Sequence, residues 1–247
     1  MVNDDLDALK GAYTEDFPYD DENRRSLAWY ADRLISQLST SGARSLISLG
    51  LGHKVVATAI LERLGTALTD YTIVEGSREI LDGFRATSRL PPQVRFVHDY
   101  FETFDPGRRF DAIEMGFVLE HVEDPGLILQ RFRHFLDPGG TMFIGVPNCR
   151  SLHRLLGHAA GLLDDVYKLS AADFQLGHRR YFDLASITKL IASAGLRIAR
   201  TEGIFLKPLT TSQLRSLGLS PPVWNALFRV GMDFPDICNA IYLEATI

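Results

Sequence analysis

Small and acidic residues follow three predicted strands at the points where those strands end. Gly50 and Gly52 come directly after the apolar run LISL. Glu75 ends the run YTIVE, and Asp99 follows VRFVH. Glycine lacks a Cβ atom, so a Gly-x-Gly turn lets the backbone bend sharply and approach a ligand closely. A carboxylate beside that turn can accept both hydroxyl groups of a ribose, and a second one can lie near an adenine ring. Together these residues predict a nucleotide-binding edge, although the two glycines alone would fit an ordinary tight turn.

Two histidines are the candidates for acid–base catalysis. His121 lies in the run VLEHV, and His178 begins the run HRRY. Either imidazole could remove a proton from a hydroxyl or an amine, because the group titrates near neutral pH. The alternative for His121 is a packing role at the start of a helix.

The run HRRY, residues 178–181, is the densest polar cluster in the chain. Arg179, Arg180 and Tyr181 could form a pocket for an anionic or polyhydroxylated substrate, since guanidinium groups bind carboxylate or phosphate through two parallel hydrogen bonds. Alternatively, the two arginines lie on the protein surface, where water hydrates them and their charge balances that of Asp183. This alternative explains the pair equally well.

Three further polar side chains are candidates for contact with a substrate. Tyr13 and Tyr19 lie in an acidic, aromatic segment outside any clear helix, where they could form a lid. Asn148 follows a predicted strand, at the edge where ligands bind in sheets of this kind. Its amide could bind a substrate or cap the next helix, and the sequence favours neither.

Strand and helix patterns alternate along most of the chain and must position these residues. Apolar spacings of three and four predict helices near 23–40, 54–65, 77–87, 125–136 and 184–195. The strands between them predict an α/β fold with a mainly parallel sheet covered by helices on both faces. Two late strands, LRIARTEGIFL and CNAIYLEATI, predict an antiparallel pair at one edge of the sheet.

Composition narrows the classes of partner. The chain has 247 residues, a net charge of -5 and no dense basic run, which argues against a nucleic-acid partner. Cys149 and Cys238 lack a close cysteine partner, so neither a disulfide framework nor a metal site is predicted. The acidic N-terminus does not have the layout of a signal peptide, and no apolar run approaches the roughly twenty residues of a membrane span. We therefore expect a cytoplasmic protein without a membrane partner.

Several runs resemble the class I S-adenosylmethionine (SAM)-dependent methyltransferases, in particular the small-molecule branch. The matching runs are SLGLGHK, VEGS, HDYFETF, FDAIEMGFVLEHVEDP, LDPGGTMFIGVPN and GHRRYFDLASITKLIASAGL. The most specific is the block 110–125, followed a dozen residues later by LDPGG. The resemblance implies a Rossmann-like sheet of seven strands whose C-terminal strand is antiparallel and lies at the edge.

The resemblance also implies a set of cofactor-binding residues at the strand ends. The two glycines would pack under the methionine part of SAM, and Glu75 would hold the ribose hydroxyls. Asp99 and Tyr100 would border the adenine, and Met115 and Gly116 would lie near the sulfonium. The full set is Gly50, Gly52, Glu75, Gly76, Ser77, Asp99, Tyr100, Met115 and Gly116.

Two positions depart from the family pattern. Ser48 stands where an acid is usual, and Lys54 stands where a third glycine is common. Serine cannot supply a carboxylate to the ammonium group of the cofactor.

The resemblance places His121 close to the transferred methyl group in some relatives.

The resemblance divides the chain into two parts. Residues 1–44 would form an N-terminal helical cap or lid, and residues 45–247 the SAM-binding domain. Insertions at about 149–182 and 207–236 would shape the substrate pocket. The apolar stretch LSPPVWNALFRVGMDF could pack over that pocket or form the contact of a homodimer.

The predicted function is transfer of a methyl group from SAM to oxygen or nitrogen of a small polar metabolite. In-line displacement at the methyl group would leave S-adenosylhomocysteine (SAH), and His121 or His178 would assist deprotonation of a poor nucleophile. The alternatives are another transfer chemistry on the same fold, a SAM-binding protein without turnover, and an NAD(P)-dependent oxidoreductase. The missing third glycine disfavours the oxidoreductase.

Overall fold

The computed structural model describes residues 19–87 and 90–247. Within these ranges, seven strands form one sheet: β1 (Ser45–Leu49), β2 (Asp70–Glu75), β3 (Val94–His98), β4 (Phe110–Gly116), β5 (Leu136–Pro147), β6 (Arg197–Ile204) and β7 (Ala240–Thr246). The helices of the described ranges are α1 (Asp20–Ser41), α2 (Val55–Leu64), α3 (Arg78–Thr87), α4 (Pro125–Arg133), α5 (Leu152–Ala159), α6 (Ala171–Gln175), α7 (Leu184–Ser193), α8 (Thr211–Ser216) and α9 (Pro221–Gly231).

The strand order in the sheet is β3-β2-β1-β4-β5-β7-β6. The pairs from β3 to β5 are parallel, whereas β7 is antiparallel to both of its neighbours. This arrangement confirms the predicted fold class. The expected place of the C-terminal strand at the edge was wrong, because β7 lies between β5 and β6 and the outermost strand on this side is β6.

Helices cover both faces of the sheet, as the apolar strands require. Successive strand residues point to opposite faces, so Leu46 belongs to one buried cluster and Ile47 to the other. Helices α1, α2 and α3 contribute side chains to the cluster around Leu46, and α4 and α7 to the cluster around Ile47. The result is a three-layer sandwich.

The helix predicted over 125–136 is shorter than expected. It begins after Asp124, whose side chain accepts a hydrogen bond from the backbone N–H of Leu127, and it ends at Arg133. The chain cannot continue as a helix because Leu136 already pairs with Phe110 in the sheet. The run PGG, residues 138–140, lies inside β5, where the register against β4 shifts.

Helix α1 is anchored in the core by an aromatic side chain. Tyr30 is fully buried, and its hydroxyl lies 3.2 Å from Oε1 of Glu114. Gly42 ends the helix with a φ of 70°, a conformation that glycine adopts without strain. Among the described helices, none is both long and apolar enough to cross a membrane.

Candidate cofactor and acceptor site

A cavity of about 510 Å³ lies at the carboxyl ends of the parallel strands. It is lined by the turn after β1, the ends of β2, β3 and β4, the first turns of α1, and residues around His178. Its position is the one at which open α/β sheets bind ligands, and its volume is in the range of small-molecule sites.

The turn after β1 needs backbone conformations that favour glycine. Gly50 and Gly52 have φ angles of 83° and 44°. Lys54, which precedes α2, also has a positive φ, of 65°. This left-handed conformation explains why a third glycine would suit position 54, and it shows that this chain keeps the turn without one.

Glu75 ties the end of β2 to the glycine turn. Its Oε2 accepts a 2.8 Å hydrogen bond from the backbone N–H of Leu51, and its Oε1 accepts one of 2.8 Å from Ser77. Burial raises the pKa of the Glu75 carboxyl, and the backbone hydrogen bonds oppose that rise. Each carboxylate oxygen has a second lone pair, so the group can still accept the hydroxyls of a ribose.

Asp99 and Tyr100 line the cavity beside β3. Oδ1 of Asp99 accepts hydrogen bonds from the backbone N–H of Tyr100, at 2.8 Å, and from the hydroxyl of Thr103, at 2.9 Å. The Tyr100 side chain is 45% exposed, which leaves its ring free to cover a flat ligand.

At the end of β4, Met115 and Gly116 lie in different surroundings, although the sequence interpretation placed both near the sulfonium. Gly116 lines the cavity and lies against Tyr30, so that a Cβ atom added to it would come within 2.5 Å of the ring. Met115 is fully buried in the cluster around Ile47 and is not among the residues that line the cavity. The alternation of side chains along a strand accounts for the difference.

Glu114 is a cavity residue that the sequence interpretation missed. It is buried, and its Oε1 accepts a 2.7 Å hydrogen bond from the backbone N–H of Gly116. Burial raises the pKa of its carboxyl to about 7, against the hydrogen bonds from Gly116, Ser48 and Tyr30. The available signal was a charged residue inside the otherwise apolar end of FDAIEMG.

The two predicted catalytic histidines face the same cavity. The ring centroids of His121 and His178 are 4.8 Å apart, and the rings are nearly perpendicular. Burial, with a smaller contribution from His178, lowers the pKa of His121 to about 3. His121 is therefore neutral at physiological pH.

Asp173 orients His178 and was also missed. Nδ1 of His178 lies 3.1 Å from Oδ1 of Asp173, and both side chains are mostly buried. Burial acts to raise the pKa of the Asp173 carboxyl, but hydrogen bonds from His178 and Ser170 hold it well below its usual range. An ionised carboxylate on Nδ1 leaves Nε2 as the nitrogen that can accept a proton. Nothing in the sequence links Asp173 to His178 beyond their proximity.

Glu120 lies beside the histidines without a hydrogen-bond donor. It is fully buried, and in the described part of the chain neither carboxylate oxygen has a hydrogen-bond partner. Burial raises the pKa of its carboxyl to about 7. Ligand atoms of Glu120, His121 and His178 lie within 4.8 Å of one another, and a carboxylate with two imidazoles has the chemistry of a metal ligand set. The same three groups can also share a proton.

The two predicted arginines hold the segment that carries His121. Nε of Arg179 donates to the carbonyl of His121 at 2.9 Å, and Arg179 lines the cavity. Arg180 donates to the carbonyls of Leu119 and Glu123 and is not a lining residue. The hydroxyl of Tyr181 donates to Asp173. Three members of the HRRY run thus bond to the groups that frame the site.

The remaining predicted substrate residues lie away from the cavity or beyond the described ranges. The amide of Asn148 is buried and donates to the carbonyls of Asp236 and Cys238, so it joins two loops instead of lining the cavity. Tyr19 is half-exposed, and its ring lies 5.9 Å from Nζ of Lys207. Tyr13 lies outside the residues that the structure describes.

The fold and the glycine–carboxylate edge define a Rossmann-like nucleotide-binding protein. A family model described as a methyltransferase domain matches residues 20–201, well over half of the chain. The chain therefore belongs to the SAM-dependent methyltransferases, and its cofactor is SAM. The residues present fit that cofactor, because the buried Glu75 carboxylate and the close backbone approach of the turn lie in one cavity of suitable size.

Curated relatives and solved structures agree with this family. The ubiquinone biosynthesis O-methyltransferase of Xylella fastidiosa (strain M23) is 26% identical over 179 residues, which are 72% of this chain and 70% of the relative. The CcbJ methyltransferase from Streptomyces caelestis has a TM-score of 0.59 at 16% identity, over 90% of this chain and 95% of its own. The glycopeptide N-methyltransferase MtfA, complexed with SAM, has a TM-score of 0.58 at 14% identity, over 89% and 93%. At these identities, the solved structures support the fold.

Proposed function

We propose that this methyltransferase transfers the methyl group of SAM to an oxygen or nitrogen atom of a small polar metabolite. The observation that carries the proposal is that His178, oriented by Asp173, faces the same cavity as the glycine turn and Glu75. When bound, SAM supplies an electrophilic methyl group. The chain has to position the acceptor and remove its proton.

His178 is the residue that we assign to proton removal. Its Nδ1 is held by Asp173, so its Nε2 is the free acceptor of a proton. The Asp173 carboxylate, whose pKa is low, also stabilises the imidazolium that forms. His121, with a pKa near 3, stays neutral and serves as a packing and hydrogen-bonding neighbour.

The cavity supports a small acceptor in preference to a macromolecule. It is partly enclosed, by α1 on one side and by the segment that contains Leu176 and His178 on the other. Arg179 lines the cavity and places a positive charge at the end where the methyl acceptor would bind. This charge favours an acceptor with an acidic or phenolic group over a cationic one. Relatives named as O-methyltransferases support oxygen as the acceptor atom.

The test is a screen for methyl transfer with isotopically labelled SAM and small phenols, carboxylic acids and amines, read by mass spectrometry. With an acceptor found, His178→Ala should lower kcat by about 10²–10⁴-fold and leave SAH affinity unchanged. Asp173→Asn should lower kcat less and shift the pH profile of turnover. The control is the exposed His134→Ala, which should behave as the wild type.

Three outcomes would contradict the proposal. Full turnover in His178→Ala would remove the base. Turnover lost on treatment with EDTA and restored by Mg²⁺ or Zn²⁺ would assign Glu120 and the two histidines to a cation. SAH binding without transfer to any acceptor would favour a SAM-binding protein with another chemistry or none.

A further inference from the structure

Ser48 and Glu114 are direct partners in the sheet. Ser48 of β1 pairs with Glu114 of β4 in the parallel register, and both side chains are buried. Side chains at paired positions of neighbouring strands point to the same face. The hydroxyl of Ser48 lies 3.0 Å from the hydroxyl of Tyr71, below the cavity, whereas Glu114 is one of the residues that line it. The carboxylate absent from position 48 is therefore present one strand away, at the same level.

The order of the strands indicates which end of an elongated ligand lies over which strand. Asp99 follows β3, Glu75 ends β2, Gly50 follows β1 and Gly116 ends β4, and these strands are consecutive neighbours in the sheet. A ribose at Glu75 with its adenine toward Asp99 leaves the amino-acid end of the cofactor over the glycine turn and the end of β4. Glu114 lies two residues before Gly116, at that end.

The other carboxylates of the cavity are less suited to a cation at this place. Both oxygens of Glu75 accept backbone N–H groups of the turn and of Ser77. Glu120 adjoins the histidines. Glu102 and Glu123 are exposed, so water would screen their charges. Asp99 lies beside β3, at the other end of the cavity. Among the lining carboxylates of the described residues, Glu114 alone is buried between the glycine turn and the end of β4.

The geometry points to Glu114 as the residue that binds the α-ammonium group of SAM. An ammonium group that enters a partly enclosed cavity loses hydration, and a buried carboxylate offsets that loss through a charge-assisted hydrogen bond. The backbone N–H of Gly116 and the hydroxyl of Tyr30 hold Oε1 in place. The carboxylate is thus oriented before the cofactor binds. This inference rests on the placement of the ribose at Glu75 and is independent of the acceptor.

Two ligands separate this role from a structural one. SAH carries the α-ammonium group, and 5′-methylthioadenosine has the same adenosine and sulfur but lacks the amino-acid end. Glu114→Gln keeps the shape of the side chain and removes its charge. By calorimetry, the variant should bind SAH at least tenfold more weakly than the wild type and bind methylthioadenosine within twofold of it.

Two matched variants control the experiment. Glu75→Gln should weaken both ligands alike, because both contain the ribose, and Glu123→Gln should weaken neither. Retained binding of methylthioadenosine to Glu114→Gln also shows that the variant is folded. An unchanged SAH affinity, an equal loss for both ligands, or a rise only in the KM of the methyl acceptor would each overturn the role of Glu114. If neither ligand bound to the wild type, the cofactor site itself would be misplaced.

Discussion

Lys207 and Glu22 form a buried ion pair that joins the first turn of α1 to the segment after β6. Nζ of Lys207 lies 2.5 Å from Oε1 of Glu22, and each side chain is less than a tenth exposed. The hydroxyl of Thr211 donates a 2.7 Å hydrogen bond to the other carboxylate oxygen. The first turns of α1 line the cofactor cavity, so this pair fixes one of its walls.

We predict that Lys207→Met destabilises the protein by about 3–5 kcal/mol, because it leaves the Glu22 charge buried without its partner. The double variant Glu22→Leu/Lys207→Met should recover most of that loss, since no charge is then buried. Urea unfolding measures both free energies. The exposed pair of Arg25 and Asp21 provides the control, and Arg25→Met should cost less than about 1 kcal/mol. A small effect of Lys207→Met would show that the pair is accessible to water.

The protein should be more stable with glycine at position 54 than with alanine there. Its φ of 65° is strained in any residue with a Cβ atom, including alanine. Glycine removes this strain, but it also raises the entropy of the unfolded chain, which lowers stability. The free energy gained from the first effect is the larger, so Lys54→Gly should be more stable than Lys54→Ala by about 0.5–1 kcal/mol. In thermal unfolding the difference should be roughly 1–4 °C.

The same two substitutions at Lys189, inside the regular helix α7, should give the opposite order, with alanine the more stable. Unchanged SAH affinity in Lys54→Ala would agree with a backbone role for position 54. A large loss of affinity would show instead that the Lys54 charge contacts the cofactor.

Glu120 should make the ligand-free protein less stable as the pH rises. The pKa of its carboxyl is raised in the folded state to about 7, above its value in the unfolded chain. The folded state therefore binds more protons between these pKa values. The contribution to stability is fully present below about pH 4.5 and is lost as the pH rises through about 7.

Glu120→Gln should accordingly be more stable than the wild type at pH 8, by an amount on the order of a few kcal/mol, and similar to it at pH 4. Unfolding of both proteins across this pH range measures the effect. Glu114 has a carboxyl with a similarly raised pKa and is present in both, so the difference isolates Glu120. Lower stability of the variant at pH 8 would mean that the Glu120 carboxylate is paired, for example with a bound cation.

Features that depend on short sequence runs could be predicted. The carboxyl ends of parallel strands meet at one edge, so the glycine turn, Glu75 and Asp99 could be placed together from the strand pattern alone. The family, the fold class and the cofactor followed from the same runs. His121 and His178 were selected for their chemistry, and the structure brings them to one cavity.

Features that depend on register and on loop packing could not be predicted. Glu114 lies beside Ser48 only because β1 and β4 pair in that register. The contact between Asp173 and His178 requires the fold of the segment between β5 and α7, in which Asp173 lies outside the family-like runs. Asn148 lies at a strand end like the cofactor residues, yet its amide is occupied by the loop before β7. In each case the deciding neighbour comes from another part of the chain or from an irregular segment.

Calorimetric titration with SAH measures whether the edge formed by the glycine turn and Glu75 binds the cofactor. We predict that the wild type binds one SAH per chain and does not bind NADH. Glu75→Gln should bind SAH at least about tenfold more weakly, a loss of about 1.4 kcal/mol or more, while the exposed Glu62→Gln should match the wild type. Equal SAH affinity in Glu75→Gln and the wild type, or binding of NADH in place of SAH, would show that this edge is not a SAM site.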